Sequence, residues 1–406
     1  MRETEETEYD RSRLAGLSRR TALRLAGVVG AAVSAGPLWT GRASAASPIV
    51  KPLPADKFVV YGSNAEMRWE SMSGQGELVP VDRFFVRDHT ETPRIDAAGW
   101  RLKLWGSGLR GAPPEDRPVE FGYDDLRRLP SRTVTARIEC AGNGRSFFTS
   151  QQGQRVEGTA WGLGAVGVAR WRGVPLGTVL RRAGLTTSAV DILPKGLDRE
   201  YVTGGVNLGR VRRPLPVRKA LRDVLLAYEM NGEPLPPDHG FPVRLVVPDW
   251  IGISSIKWLG RIEVADRPLY SPWNTQYYRL VGPGYPAGGE LVTRQNTKSA
   301  FELPWAATLG GGREHVLRGR SWSGTGRVRR VEVSTDGGRT WRHTTPMGAG
   351  HGWQRWAIPW RPPGPGSYTV RARATDSSGV TQPDVAPYNT QGYLFGAVVA
   401  HPVTVT

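Results

Sequence analysis

The sequence predicts a mixed α+β domain followed by a β-sandwich, behind a leader over residues 1–45. Three observations carry this. From about Ser47 to Ser271, strand-like runs mix with a few helical ones, without a regular strand–helix–strand alternation. From about Leu280 the pattern changes to short alternating strands and tight turns, spaced as in a sandwich. Glycine (51) and proline (32) together make about a fifth of the 406 residues, which favours strands and loops over long helices. The domains are bounded accordingly at 46–280 and 281–406.

In the leader, Arg19-Arg20 precedes a weakly apolar run from Leu25 to Trp39, and Ala43-Ser44-Ala45 fits a small-x-small cleavage site. This pattern predicts a twin-arginine signal peptide and a protein exported already folded, to the periplasm, cell envelope or exterior. The run is shorter than the roughly 20 residues a membrane-spanning helix needs, so no membrane span is expected. In the first domain, Phe84-Phe85-Val86, Arg101 to Trp105, Val134 to Glu139 and Val243 to Val247 read as strands. The strongest helical pattern runs from Pro216 to Tyr228, where Val217, Leu221, Val224, Leu225 and Tyr228 share a face and Asn231-Gly232 follows as a stop. Leu176 to Ala183 is a shorter helix. Gly282-Pro283-Gly284-Tyr285-Pro286 reads as a linker or crossing loop. In the second domain, Arg327 to Ser334 forms a hairpin through Asp336-Gly337-Gly338 with a return strand through Trp341. Tyr368, Val370, Ala372 and Ala374 mark one face of a half-buried strand.

Composition excludes several classes. The single cysteine, Cys140, rules out an intrachain disulfide and any site built from cysteines alone. The net charge of +17 comes almost wholly from arginine, scattered and without a nucleic-acid-binding motif, so no nucleic-acid partner is expected. Neither H-E-x-x-H nor G-x-S-x-G occurs. Gly162-Leu163-Gly164-Ala165-Val166-Gly167 matches G-x-G-x-x-G but lacks the following helix that a dinucleotide site requires.

The informative segment is Ala136 to Ser146. A strand delivers Cys140 into Gly142-Asn143-Gly144, with Arg145 close behind. A thiolate beside an arginine is a nucleophile and a soft metal ligand. Cys140-Ala141-Gly142-Asn143-Gly144-Arg145-Ser146 resembles the molybdenum-cysteine signature of the sulfite oxidase family of molybdopterin oxidoreductases. Other blocks agree in order: Phe84 to His89, Ala227 to Gly232, Asp238 to Arg244, Ile256 to Gly260, and Val331 to Trp341.

The resemblance implies an α+β molybdopterin-binding domain followed by an immunoglobulin-like β-sandwich dimerisation domain, and hence a homodimer. It implies Cys140 as the thiolate ligand of molybdenum, with Phe85, Arg87, His89 and Asp198 along the cofactor and His239, Arg244 and Lys257 on the pterin and its phosphate. Tyr278 takes the place of the family's active-site tyrosine, and Arg87, Arg145 and Trp161 those of the substrate pocket. Alone, His239 reads equally as a cap, Arg244 and Lys257 as surface charges, and Tyr278 and Trp161 as packing residues. The implied activity is oxidation of sulfite to sulfate by oxo transfer at molybdenum. Electrons then pass to a separate protein such as a cytochrome, because no C-x-x-C-H or haem-domain block is present in this chain. One departure matters: Tyr388-Asn389-Thr390-Gln391-Gly392 has Gln391 where the vertebrate segment has arginine. That keeps a sister activity open, reduction of a sulfoxide or N-oxide or oxidation of another small sulfur compound. A binding or adhesion protein with a degenerate cofactor site is the reading from another class.

Overall fold

The computed structural model describes residues 48–406, so the expected signal peptide lies outside the described residues. Two five-stranded sheets organise the first half. One is mixed and runs Leu215–Pro216, Asp191–Gly196, Leu259–Ala265, Arg101–Trp105, Val119–Gly122, with the third and fourth strands parallel. The other is antiparallel and runs Glu233–Pro234, Leu225–Met230, Val166–Pro175, Arg132–Glu139, with Arg244–Val246 also pairing on Leu225–Met230. Short helices such as Leu176–Arg182 and Ser146–Gln152 fill the gaps. The second half is a sandwich. A sheet of Lys298–Phe301, His315–Trp322, Gln354–Trp360 and Thr345–Met347 faces a sheet of Ala307–Leu309, His401–Val405, Gly366–Asp376, Val328–Ser334 and Arg342–His343. Their inward side chains, among them Leu317, Val333, Trp356, Val370 and Ala372, form its core. Among the described residues no helix is long and apolar enough to cross a membrane.

The strand Gly366–Asp376 buries Val370, Ala372 and Ala374 and leaves their neighbours half-exposed, as the alternation requires. Four expectations need correction. The helix from Pro216 stops at Arg222, and Leu225–Met230 is a strand. It is buried between two neighbours, so it reads as a continuous apolar run that a helical template also fits. Phe84 and Phe85 precede the strand Val86–Arg87 instead of belonging to it, because Phe84 N–H closes a turn on Val81 O. The Asp-Gly hairpin is longer than a two-residue turn: Asp336 accepts from Thr340 N–H and hydroxyl and from Ser334, and pairing resumes only at Arg342–His343. Gly282 to Pro286 is no linker; it is the tip of a hairpin between Arg279–Leu280 and Glu290–Leu291. The G-x-G-x-x-G match opens a strand and has no helix after it. A side chain at Gly164 would collide with the Met67 carbonyl that lies against it.

The two halves share a core. Trp322 and Trp353 of the sandwich stack around Trp69, with ring centroids 5.8 Å away in each case. Beneath them lies a buried ion pair, Lys298 Nζ to Glu139 Oε1 at 2.7 Å, both side chains 2% exposed. Trp322 Nε1 donates to the other oxygen of Glu139 at 2.9 Å. Removing one member of such a pair strands a charge. Lys298→Met is therefore expected to lower the unfolding free energy by about 3–5 kcal/mol in denaturant titration. The Glu139→Gln/Lys298→Met double variant should recover much of that loss.

Candidate functional site

The strand Arg132–Glu139 ends on Cys140, whose N–H bonds to Ala165 O at 2.9 Å. The chain then turns: Asn143 N–H bonds back to Cys140 O and Arg145 N–H to Gly142 O, each at 2.9 Å. Asn143 pins the turn from inside, donating to Glu139 at 3.0 Å and accepting from Ala165 N–H at 3.0 Å. Gly144 has φ +91°, which favours glycine, and a Cβ on Gly142 would lie 2.6 Å from the Arg145 guanidinium and displace it. The thiol ends 8% exposed, at the wall of a cavity lined by residues from distant parts of the chain.

Nine of the eleven residues singled out from sequence line that cavity: Phe85, Arg87, His89, Cys140, Asp198, His239, Arg244, Lys257 and Tyr278. They come from chain segments far apart; Phe85, Arg87 and His89 are placed by the strand Val86–Arg87, which pairs with Asn64–Met67 in a separate three-stranded sheet. Arg244 is buried, donating to the carbonyls of His239 (2.9 Å), Ser255 (3.0 Å) and Leu245 (3.2 Å), and lying 5.1 Å over Trp171. Among the described residues no carboxylate pairs with it, and burial pulls it down to about 9. Lys257 pairs with Asp88 and donates to Asp238 O at 2.7 Å; burial lowers it against the pull of Asp88. Neither is a surface charge. Gly240, at φ +107°, leaves no room for a side chain, since its Cβ would lie 2.9 Å from that of Arg244.

Arg87 Nη2 and Trp273 Nε1 both reach His89 Nε2, at 3.2 and 3.1 Å. Two donors on one ring nitrogen require its lone pair, so His89 is neutral there. Burial, then Arg87 and Lys257, hold its pKa well below the usual range. Burial likewise raises the Tyr278 phenol, against Arg87, which lowers it. Tyr278 (φ +59°) and Trp258 (φ +50°) both occupy the left-handed region, where bulky residues are held only by their surroundings. Asp198 is buried, its Oδ1 finds no hydrogen-bond partner among the described residues, and burial pushes it up to about 6.

Arg145 and Trp161 do not line the cavity. Arg145 donates to Gln391 O and Thr159 O at 2.9 Å each. Trp161 is fully buried, edge-on to Tyr61 at 5.4 Å. Gln391 bonds Gln276 O at 3.3 Å through Nε2, and its Oε1 has no partner. Sequence reasoning missed Asp88 and Asp238, although both stand inside quoted blocks beside chosen residues. Asp88 pairs with Lys257, and Asp238 binds Val50 N–H, Lys51 N–H and the Thr92 hydroxyl at 2.8, 2.7 and 2.6 Å. It also missed Tyr393, which nothing in its local pattern marks.

The family model described as "Oxidoreductase molybdopterin binding domain" matches residues 89–273, and "Mo-co oxidoreductase dimerisation domain" matches 292–401. Chicken (Gallus gallus) sulfite oxidase is 35% identical over 78% of this chain and 71% of its own length. The chain belongs to the sulfite oxidase family of molybdopterin oxidoreductases. Human (Homo sapiens) mitochondrial sulfite oxidase is 35% identical over 82% of the chain, which spans 63% of that relative's length. An NADH nitrate reductase from Ulva prolifera is 32% identical over 81% of the chain and 40% of its own. The solved sulfane dehydrogenase SoxCD of Paracoccus pantotrophus superposes with a TM-score of 0.72 at 26% identity, covering 89% of this chain and 92% of that one.

The cavity fits the family's cofactor. Among the described residues no three His, Cys, Asp or Glu side chains are grouped to hold a metal, so a metal at Cys140 needs a partner that brings further ligands, as a pterin dithiolene does. A buried guanidinium without a carboxylate suits a phosphate. The orphaned Asp198 Oδ1 suits a pterin N–H. Asp198 also yields a test. Its folded pKa lies above its unfolded one, so the folded state binds more protons between about 4 and 6 and loses stability as pH rises through that window. In cofactor-free protein, Asp198→Asn should be more stable than the parent at pH 8 by about 2–3 kcal/mol. The margin should vanish near pH 4 in denaturant titrations.

Proposed function

We propose that this sulfite oxidase-family protein is an exported oxidoreductase that oxidises sulfite to sulfate and passes electrons to a separate protein such as a cytochrome. The observation that carries the reading is that Cys140 shares one cavity with two kinds of group. His239, Arg244 and Lys257 are largely buried donors suited to an anionic group, and Arg87 and Tyr278 line the same cavity. Cys140 would hold the molybdenum and Arg244 and Lys257 the pterin phosphate, and the group would supply two-electron redox chemistry.

The remaining work falls to the chain. Arg87, locked by the neutral His89 and by its own bond to Asp88 O, offers a fixed positive charge to an anionic sulfur substrate. Tyr278, kept protonated by burial, can donate a hydrogen bond to a substrate oxygen. Burial of these groups excludes water, so each is worth more than it would be in solvent. In the same proposal residues 46–280 hold the cofactor, and 281–406 carry the contact of a homodimer. The dimerisation-domain match supports that last assignment.

A second reading has its own support. Arg145 does not line the cavity and Gln391 is neutral, so of the residues matching the family's substrate pocket only Arg87 brings cationic charge to it. That favours a less charged substrate on the same cofactor: a sulfoxide or N-oxide to be reduced, or another small sulfur compound to be oxidised. The adhesion reading, with a degenerate site, has the intact cavity against it.

Protein made in a host able to supply the cofactor is expected to contain molybdenum and to reduce ferricyanide with sulfite. Absence of sulfite turnover, with sulfoxide-dependent oxidation of a reduced dye, would favour the second reading instead. Cys140→Ser should lose the visible thiolate–metal absorption and more than roughly 100-fold in turnover. Light scattering should give twice the chain mass, and a monomer would remove the dimer assignment.

A further inference from the structure

We infer that Tyr393 is a positioning residue for Tyr278, fixing the ring that faces substrate from behind; this rests on the functional reading just given. The two rings stack with centroids 5.1 Å apart and planes 9° from parallel, both buried. Each outer face carries a cation. The Arg145 guanidinium lies 5.3 Å over Tyr393, and that of Arg213 lies 5.5 Å over Tyr278. Tyr278 lines the cavity and Tyr393 does not, so Tyr393 acts only through its neighbour. The Tyr278 backbone, at φ +59°, is in a conformation that a bulky residue keeps only when packing holds it. Tyr393 provides that packing.

Tyr393 is itself held firmly. Its N–H donates to Asn389 Oδ1 and its carbonyl accepts from Asn389 Nδ2, both at 2.9 Å, so one buried amide brackets the residue. The next N–H, of Leu394, bonds to Ala141 O at 2.8 Å, beside Cys140. The segment that carries Tyr393 is thereby referenced to the residue after the thiol, and the stack passes that reference to Tyr278. Arg145 joins the same strap through Gln391 O. Its guanidinium thus serves the tyrosine pair, which accounts for its absence from the cavity wall.

The test uses the full-length, molybdenum-loaded protein. Tyr393→Leu removes the stack and is expected to lower kcat at least tenfold, on the scale of an ångström-sized misplacement. KM should stay within about twofold, with molybdenum content and thiolate–metal absorption unchanged. Tyr393→Phe keeps the ring and loses only the phenol oxygen that accepts from the Tyr278 backbone N–H, so its kcat should lie between those of the parent and Tyr393→Leu. Asn389→Ala, which loosens the bracket without touching either ring, should reproduce part of the Tyr393→Leu loss and stands in if that variant does not fold. Tyr278→Phe/Tyr393→Leu should be no slower than Tyr278→Phe alone, because both act through one phenol. In cofactor-free protein, the near-ultraviolet circular dichroism of the stacked pair should vanish in Tyr393→Leu and persist in Tyr393→Phe. Three results would overturn the inference: parental kcat once the stack signal is gone, losses that multiply in the double variant, or loss of molybdenum from folded Tyr393→Leu. If the parent turns over neither sulfite nor any dye-coupled substrate, the functional reading fails instead, and the dichroism still decides whether the stack exists.

Discussion

The Glu139 carboxylate, one residue before the only cysteine, fixes the geometry on which the site depends. Lys298 Nζ, Asn143 Nδ2 and Trp322 Nε1 all donate to it, at 2.7, 3.0 and 2.9 Å. Lys298 also donates to Asn143 O at 2.9 Å. Two of the three donors come from the sandwich and one from the cysteine turn itself. A buried carboxylate must satisfy its lone pairs within the protein, so the strand, the turn and the second half of the chain have one arrangement that serves it. The thiol is placed as a by-product of that requirement. Shape complementarity between apolar surfaces allows a slip of a fraction of an ångström; a fully satisfied charge network does not.

The cavity concentrates features that a fold seeking only stability would avoid. Arg244 is a buried cation without a carboxylate, Asp198 a buried acid with an orphaned oxygen, and Tyr278 and Trp258 hold left-handed backbones. Each is unfavourable alone, and the rest of the core tolerates them. They become favourable together when an anionic, hydrogen-bonding group occupies the space. The fold therefore does more than support the site: it holds open a cavity that its own lining does not fill.

Much of this was legible in the sequence, for specific reasons. Gly142-Asn143-Gly144 stood out because a strand runs straight into a glycine-rich turn, and Gly144 does hold a positive φ. The alternation from Tyr368 to Ala374 followed from one buried face. The cavity residues emerged as a set because their blocks resemble a family in order, whereas His239 or Lys257 alone carried no such weight. The failures also have physical causes. Leu225–Met230 is buried on both faces, which erases the period of two that distinguishes a strand. Arg145 has the charge and the place of a substrate ligand, yet two backbone carbonyls claim its guanidinium; the spacing of residues along a chain does not record which acceptor is nearest. Tyr393 was invisible because its role depends wholly on the ring opposite.

The Leu394–Ala141 bond has a consequence in time. Protein synthesis proceeds in one direction, and the strap that bears Asn389, Gln391 and Tyr393 leaves the ribosome long after the cysteine turn it braces. Until then the nascent chain has its thiol and its buried cations but lacks the wedge behind Tyr278. The contact that braces the cysteine turn is thus among the last that the growing chain can make.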